Sequence, residues 1–176
     1  MMTEKNHKGE MLISQQEILE RAKEIGKQIT EDFAGEEVLL VGILKGAILW
    51  LSDIVKEIDL DARLDFMAVS SYGASTKTTG VVKILKDLDV PIEDKNVIIV
   101  EDIADTGVTL AYLTKYLMGR GPKCLKTCAL LDKPARRQVD IDIDYVGFEV
   151  EDKFIIGYGL DYNQQYRNLP YISCLD

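Results

Sequence analysis

Asn96-Val-Ile-Ile-Val-Glu-Asp-Ile-Ala-Asp-Thr-Gly-Val-Thr109 reads as a strand, a turn and the start of a helix in one run. Val97 to Val100 is continuously apolar, the pattern of a strand buried on both faces. It ends in two adjacent acids, Glu101 and Asp102. A third acid, Asp105, opens the turn Asp105-Thr106-Gly107, and a helical pattern starts at about Thr109. Small residues and a glycine let the backbone fold tightly, and the helix start aims free N–H groups into the turn. Such a turn can hold a phosphate while acids at its mouth hold sugar hydroxyls or a metal. The run therefore points to a sugar-phosphate site.

The flanking sequence repeats the alternation of strand and helix. Ser14-Gln15-Gln16-Glu17 has the form of a capping box, and Ile18, Ala22, Ile25, Ile29 and Phe33 follow at helical spacing. The spacing predicts a helix over Ser14 to Phe33, closed by Gly35. Val38 to Leu44 reads as a buried strand, Lys45-Gly46 as a turn, and Ala47 to Ile58 as a second helix. Leu64 to Ser70 and Val81 to Leu85 read as strands around Tyr72–Gly80, a small, polar, glycine-bounded loop. Pro91 to Lys95 is a turn. Leu110 to Met118 continues the helix after the phosphate turn, with Gly119 and Gly121 ending it. Cys124 to Leu131, Tyr145 to Phe148, Phe154 to Tyr158 and Tyr171 to Leu175 are further strand candidates. The expectation is an α/β fold with a mainly parallel, buried central sheet flanked by helices. Ligands of such sheets bind outside the carboxyl ends of the strands. Lys45, Ser71-Tyr72, Glu101 to Thr109 and Lys133 each follow a predicted strand and can meet at one sheet edge.

The length of 176 residues suits one domain with an ordinary core, and no apolar run is long enough to cross a bilayer. Met1 to Glu10 is polar, lacks the apolar core of a signal peptide and is expected to fray; His7, the only histidine, lies in it and is assigned no chemistry. Cys124, Cys128 and Cys174 form no metal-ligand spacing, and an odd count without a secretion signal favours reduced thiols and a cytoplasmic home. A net charge of −9 argues against a nucleic-acid surface. It does not argue against a phosphorylated ligand, because amides, a helix start and a divalent cation supply local positive potential.

Val100 to Thr109 resembles the phosphoribosyl pyrophosphate signature of the type I phosphoribosyltransferase family. Leu44-Lys45-Gly46, Ser71-Tyr72, Leu131-Asp-Lys133-Pro134, Asp152 to Tyr162 and Tyr166-Arg167-Asn168-Leu169-Pro170 resemble its hypoxanthine-guanine branch, in the expected order. The resemblance implies a single domain over 1–176, with a core at about 36–140 and a small hood built from the chain ends, about 1–20 and 145–176. It also implies a reaction. A 6-oxopurine, hypoxanthine or guanine, attacks the anomeric carbon of phosphoribosyl pyrophosphate with Mg²⁺ bound, giving IMP or GMP and pyrophosphate. A homodimer or homotetramer is implied too, with no nucleic-acid or membrane partner.

By the same resemblance, Glu101 and Asp102 hold the ribose hydroxyls and orient the metal complex. Asp105 takes or shares the purine ring proton, with a helix cap as the competing reading. Ala104, Asp105, Thr106, Gly107, Val108 and Thr109 cradle the 5′-phosphate, Val108 standing where many relatives carry a polar or basic residue. Lys45 and Gly46 contact pyrophosphate through a turn of unusual peptide geometry, and Arg167 adds a charged fork. Ser71-Tyr72 and the loop to Gly80 form a closing lid. Lys133 donates to the purine 6-oxo group, Phe154 stacks on the base, and Ile155 offers backbone groups to its edge. Asp161 binds the metal or its water. Plainer readings compete: a surface lysine for Lys45 or Lys133, a core aromatic for Phe154, a surface arginine for Arg167, a loop carboxylate for Asp161. Trp50 reads as core or subunit contact. Two other functions fit the motifs less well. One is a ligand-sensing regulator of the same fold, which needs a nucleic-acid surface this acidic chain lacks; the other is a xanthine-preferring transferase.

Overall fold

The structure is a computed structural model that describes residues 9–71 and 82–175. Tyr72 and the loop to Gly80, His7, and all of the N-terminal tail before Gly9 lie outside the described residues.

Two sheets organise the chain. The larger has six strands in the order β4-β3-β2-β5-β6-β7: β2 (Val38–Leu44), β3 (Ala62–Ser71), β4 (Val82–Lys86), β5 (Asn96–Ala104), β6 (Cys124–Asp132) and β7 (Tyr145–Glu149). All neighbours are parallel except β3 and β4. The smaller sheet is antiparallel and joins the chain ends: β1 (Glu10–Ile13), β9 (Ile172–Leu175) and β8 (Phe154–Ile156). β7 belongs to the larger sheet, so the smaller one takes its C-terminal strands from Phe154 onward.

The apolar runs are continuous because both faces of the large sheet are covered. Val38, Leu40, Ile98 and Val100 join a core with Ile18, Ile25 and Ile29 of α1 (Gln15–Asp32) and Trp50, Leu51 and Ile54 of α2 (Ile48–Lys56). The alternate residues Leu39, Val41, Val97 and Ile99 face Leu110, Leu113 and Leu117 of α3 (Val108–Met118). A period of two on one strand thus feeds two cores, as expected of a parallel sheet between helix layers. Trp50 is fully buried, which settles it as core.

α1 starts as its sequence specifies. The Glu17 amide donates to Ser14 Oγ while the Glu17 carboxylate accepts from the Ser14 amide. The first corrections concern ends. β5 does not stop at the two acids but runs through them to Ala104, because its pairing with β6 continues to Ala104 and Asp132. α2 begins at Ile48 and α3 at Val108, and Gly107 rather than Asp105 caps α3. β1 is a strand that the sequence reading passed over.

Candidate active site

β2, β3, β5 and β6 all end on one side of the large sheet. The C-terminal ends of β2, β3 and β5, with the first turn of the following helix and the turn after β8, line an open cleft of about 660 Å³. Lys45, Gly46, Glu101, Asp102, Thr109, Asp161 and Arg167 line it, joined by Ser70, Leu85 and Gln164. Seven residues singled out in the sequence therefore meet in one place, although 122 positions separate Lys45 from Arg167.

The floor is acidic. Glu101 is buried, and burial, then the neighbouring Asp102 charge, pushes its carboxyl well up. Burial likewise pushes Asp102 up to about 6, opposed by backbone N–H donors and Arg167. Asp102 Oδ1 accepts from the Ile103 amide at 2.9 Å. Its other oxygen fills the space where a Cβ on Gly46 would sit, 1.7 Å away, so only glycine lets the Lys45–Gly46 turn pass this close. That turn enters through a cis peptide between Leu44 and Lys45.

The far wall is the segment after β8. Gly159 has φ +99°, and a Cβ there would meet the Gly46 carbonyl oxygen at 2.0 Å. The two turns thus touch backbone to backbone. Arg167 donates to the Gly159 carbonyl at 2.7 Å and pairs with Asp161 at 2.8 Å. Its Nε is buried without a hydrogen-bond partner among the described residues. Gln164, which the sequence reading did not single out, accepts from both Lys45 Nζ and Arg167 Nη2 at 3.4 Å.

The phosphate turn lies alongside. Gly107 has φ +81° and α3 starts with no side-chain cap hydrogen bond; Thr106 Oγ1 reaches only the Val108 amide, at 3.4 Å. Beyond that of Val108, the first-turn amides have no side-chain cap among the described residues and can serve a ligand. Ala104 is buried beneath them. Asp105 carries no cap. Instead Arg136 Nε lies 3.0 Å from Asp105 Oδ1, an ion pair without hydrogen-bond geometry, and Arg136 also reaches Asp152 at 3.4 Å. Arg137 donates to the Asp105 carbonyl at 3.1 Å and pairs closely with Asp132. Neither arginine was read as functional. They follow Lys133-Pro134, and a surface turn was the only available signal.

Lys133 is not a surface lysine. It is 5 % exposed, and its Nζ donates to the Lys153 carbonyl at 2.6 Å. That contact ties the end of β6 to the start of β8. Phe154 is not core: it is 52 % exposed and meets Tyr162 edge-to-face at 5.5 Å between centroids. Ile155 is buried. Lys133, Phe154, Ile155 and Asp105 do not line the cleft itself but flank it on the β6 side. Ser71 ends β3; its side chain and Tyr72 lie outside the described residues.

Comparison with known proteins agrees with this geometry. The model of the phosphoribosyl transferase domain matches residues 9–163. The hypoxanthine-guanine phosphoribosyltransferase of Bacillus subtilis is 49 % identical over 165 residues, covering 94 % of this chain and 92 % of that one. The hypoxanthine phosphoribosyltransferase of Salmonella typhimurium is 48 % identical, covering 95 % of each. A crystal structure of a Bacillus anthracis hypoxanthine-guanine phosphoribosyltransferase, with HEPES in its active site, superimposes with a TM-score of 0.92 at 48 % identity. It covers 97 % of this chain and 100 % of that one.

Proposed function

The chain belongs to the phosphoribosyl transferase domain family, and from that premise we propose that it is a purine salvage enzyme. It moves the 5-phosphoribosyl group of phosphoribosyl pyrophosphate to hypoxanthine or guanine, giving IMP or GMP and pyrophosphate. The carrying observation is the cleft in which Glu101 and Asp102 of β5, the Lys45–Gly46 turn and the Asp161–Arg167 pair face one another.

The chemistry requires an electrophilic ribose carbon and a stabilised leaving group. Glu101 and Asp102 accept from the ribose hydroxyls. The α3 start, with Thr106 and Thr109, holds the 5′-phosphate by amides and hydroxyls. Lys45, the Gly46 amide and Arg167 hold pyrophosphate oxygens; the buried, unpartnered Arg167 Nε fits such an acceptor. Asp105 accepts the ring proton that the purine loses. Lys133 donates to the 6-oxo group, Phe154 stacks on the base and Ile155 offers its backbone.

Mg²⁺ fits this donor set. Asp102 is a half-buried carboxylate on the cleft floor, and Asp161, paired with Arg167, lies across the cleft. Magnesium characteristically takes one or two carboxylates and completes its shell with water and substrate phosphates. Bound there, it would neutralise charge building on pyrophosphate. A cytoplasmic location is supported by the free thiols of Cys124, Cys128 and Cys174. No helix among the described residues is long and apolar enough to cross a membrane. A homodimer or homotetramer belongs to the same reading. The function is tested by offering the protein hypoxanthine, phosphoribosyl pyrophosphate and Mg²⁺: IMP and pyrophosphate should appear in equal amounts. Failure with every 6-oxopurine overturns the reading.

A further inference from the structure

One segment, the stretch after β6, holds each residue of the turn Asp105-Thr106-Gly107 from behind. Arg137 Nη1 donates to the Asp105 carbonyl at 3.1 Å, and the Gln138 amide donates to the Thr106 carbonyl at 2.9 Å. Over Gly107 lie the Arg137 stem, Val139 and Ile141, which a Cβ there would meet at 2.9, 3.1 and 3.1 Å. The two peptides of the turn are trans, and a trans peptide sets its C=O and N–H on opposite sides. Fixing the carbonyls of Asp105 and Thr106 toward this segment therefore aims the amides of Thr106 and Gly107 away from it, onto the other face of the turn. We propose that Arg137 is a positioning residue for the 5′-phosphate, whose guanidinium sets the aim of these amides and strengthens them as donors. This rests on the reading of residues 104–109 as the phosphate cradle.

The arginine is itself firmly held. Its Nη2 pairs closely with Asp132 Oδ1, and the two side chains are only 17 % and 18 % exposed. Asp132 is the last residue of β6 and stands in register with Ala104, the last of β5. The Lys133 amide extends that ladder by donating to the Ala104 carbonyl at 3.0 Å. The sheet thus fixes Asp132, Asp132 fixes the guanidinium, and the guanidinium fixes the turn. A planar fork reaches both acceptors at once, which the point charge of a lysine does not reproduce. A charged donor on the Asp105 carbonyl also polarises that peptide, and hydrogen bonds in series strengthen one another. The Thr106 amide then meets phosphate as a better donor.

The test compares two probes on the full-length protein by calorimetry: IMP, which carries the 5′-phosphate, and magnesium pyrophosphate, which does not. Arg137→Met keeps an apolar stem over Gly107 and removes the fork. It should weaken IMP by about tenfold or more and leave magnesium pyrophosphate within about twofold of wild type. Arg137→Lys should fall between Arg137→Met and wild type for IMP. Because Arg137→Met strands the Asp132 charge, it is repeated in combination with Asp132→Leu, which removes that charge. A merely structural ion pair predicts that the double variant recovers IMP binding, whereas the positioning role predicts that it stays as weak as Arg137→Met. Wild-type IMP affinity in either of these variants, equal losses for IMP and magnesium pyrophosphate, or failure of the double variant to fold would overturn the proposal. A wild-type protein that binds magnesium pyrophosphate and not IMP would bring down the phosphate-cradle reading, and the proposal with it.

Discussion

Asp102 sits where a carboxylate is poorly solvated until a cation or a hydroxyl arrives. Its carboxyl is raised from an ordinary 3.8 to about 6, chiefly by burial. A raised acid favours the folded, ligand-free protein while it is protonated. That contribution is complete below about pH 4 and is lost as the pH climbs through 6. Asp102→Asn removes the cost, so at pH 8 the ligand-free variant should be more stable by on the order of 2–3 kcal/mol. It should also bind magnesium pyrophosphate far more weakly. Thermal unfolding and calorimetry on one preparation check both; a variant that loses stability and keeps affinity would contradict the assignment. Lys133 supplies the second prediction at this scale. Its replacement by alanine should raise the hypoxanthine KM by roughly 10- to 100-fold, the value of a hydrogen bond from a charged donor. Phosphoribosyl pyrophosphate affinity should stay near wild type, as steady-state kinetics with each substrate varied would reveal. The sequence singled out both residues, since each follows a predicted strand, although Asp102 lies within β5. Arg136 and Arg137 were illegible: their partners Asp105, Asp132 and Asp152 become neighbours only when β6 and β8 are in place.

Elements show the same division between local and distant causes. β2, β5, β6, α1 and α3 were readable because period and capping are local properties. β1 was not, since Glu10-Met-Leu-Ile13 is too short to display a period and owes its form to pairing with β9, far along the chain. The end of β5 was misplaced for a related reason. Two acids look like a strand terminus, yet parallel pairing with β6 carries the ladder past them. The contact between the Gly46 turn and the Gly159 turn was equally hidden. It yields a prediction: Gly159→Ala should destabilise the protein by about 2–3 kcal/mol, through a left-handed φ and a clash with the Gly46 carbonyl. It should also push Lys45 and Arg167 apart and weaken pyrophosphate binding. Denaturant unfolding with wild-type stability would show that the two turns do not bear on each other.

At the scale of the whole molecule, a large parallel sheet supplies the carboxyl-end acids and the phosphate turn. A small antiparallel sheet from the chain ends carries Phe154 and leads into Asp161 and Arg167. The proposed active site is the seam between them, which explains why its residues span the chain from Lys45 to Arg167. The central claim is selection of a 6-oxopurine as acceptor of the phosphoribosyl group. Its most direct test is nucleotide formation from phosphoribosyl pyrophosphate with hypoxanthine, guanine, xanthine and adenine offered separately, with and without Mg²⁺. The account predicts metal-dependent IMP and GMP and no AMP. Product from adenine at a comparable rate, or no product from hypoxanthine and guanine despite binding of phosphoribosyl pyrophosphate, would contradict it.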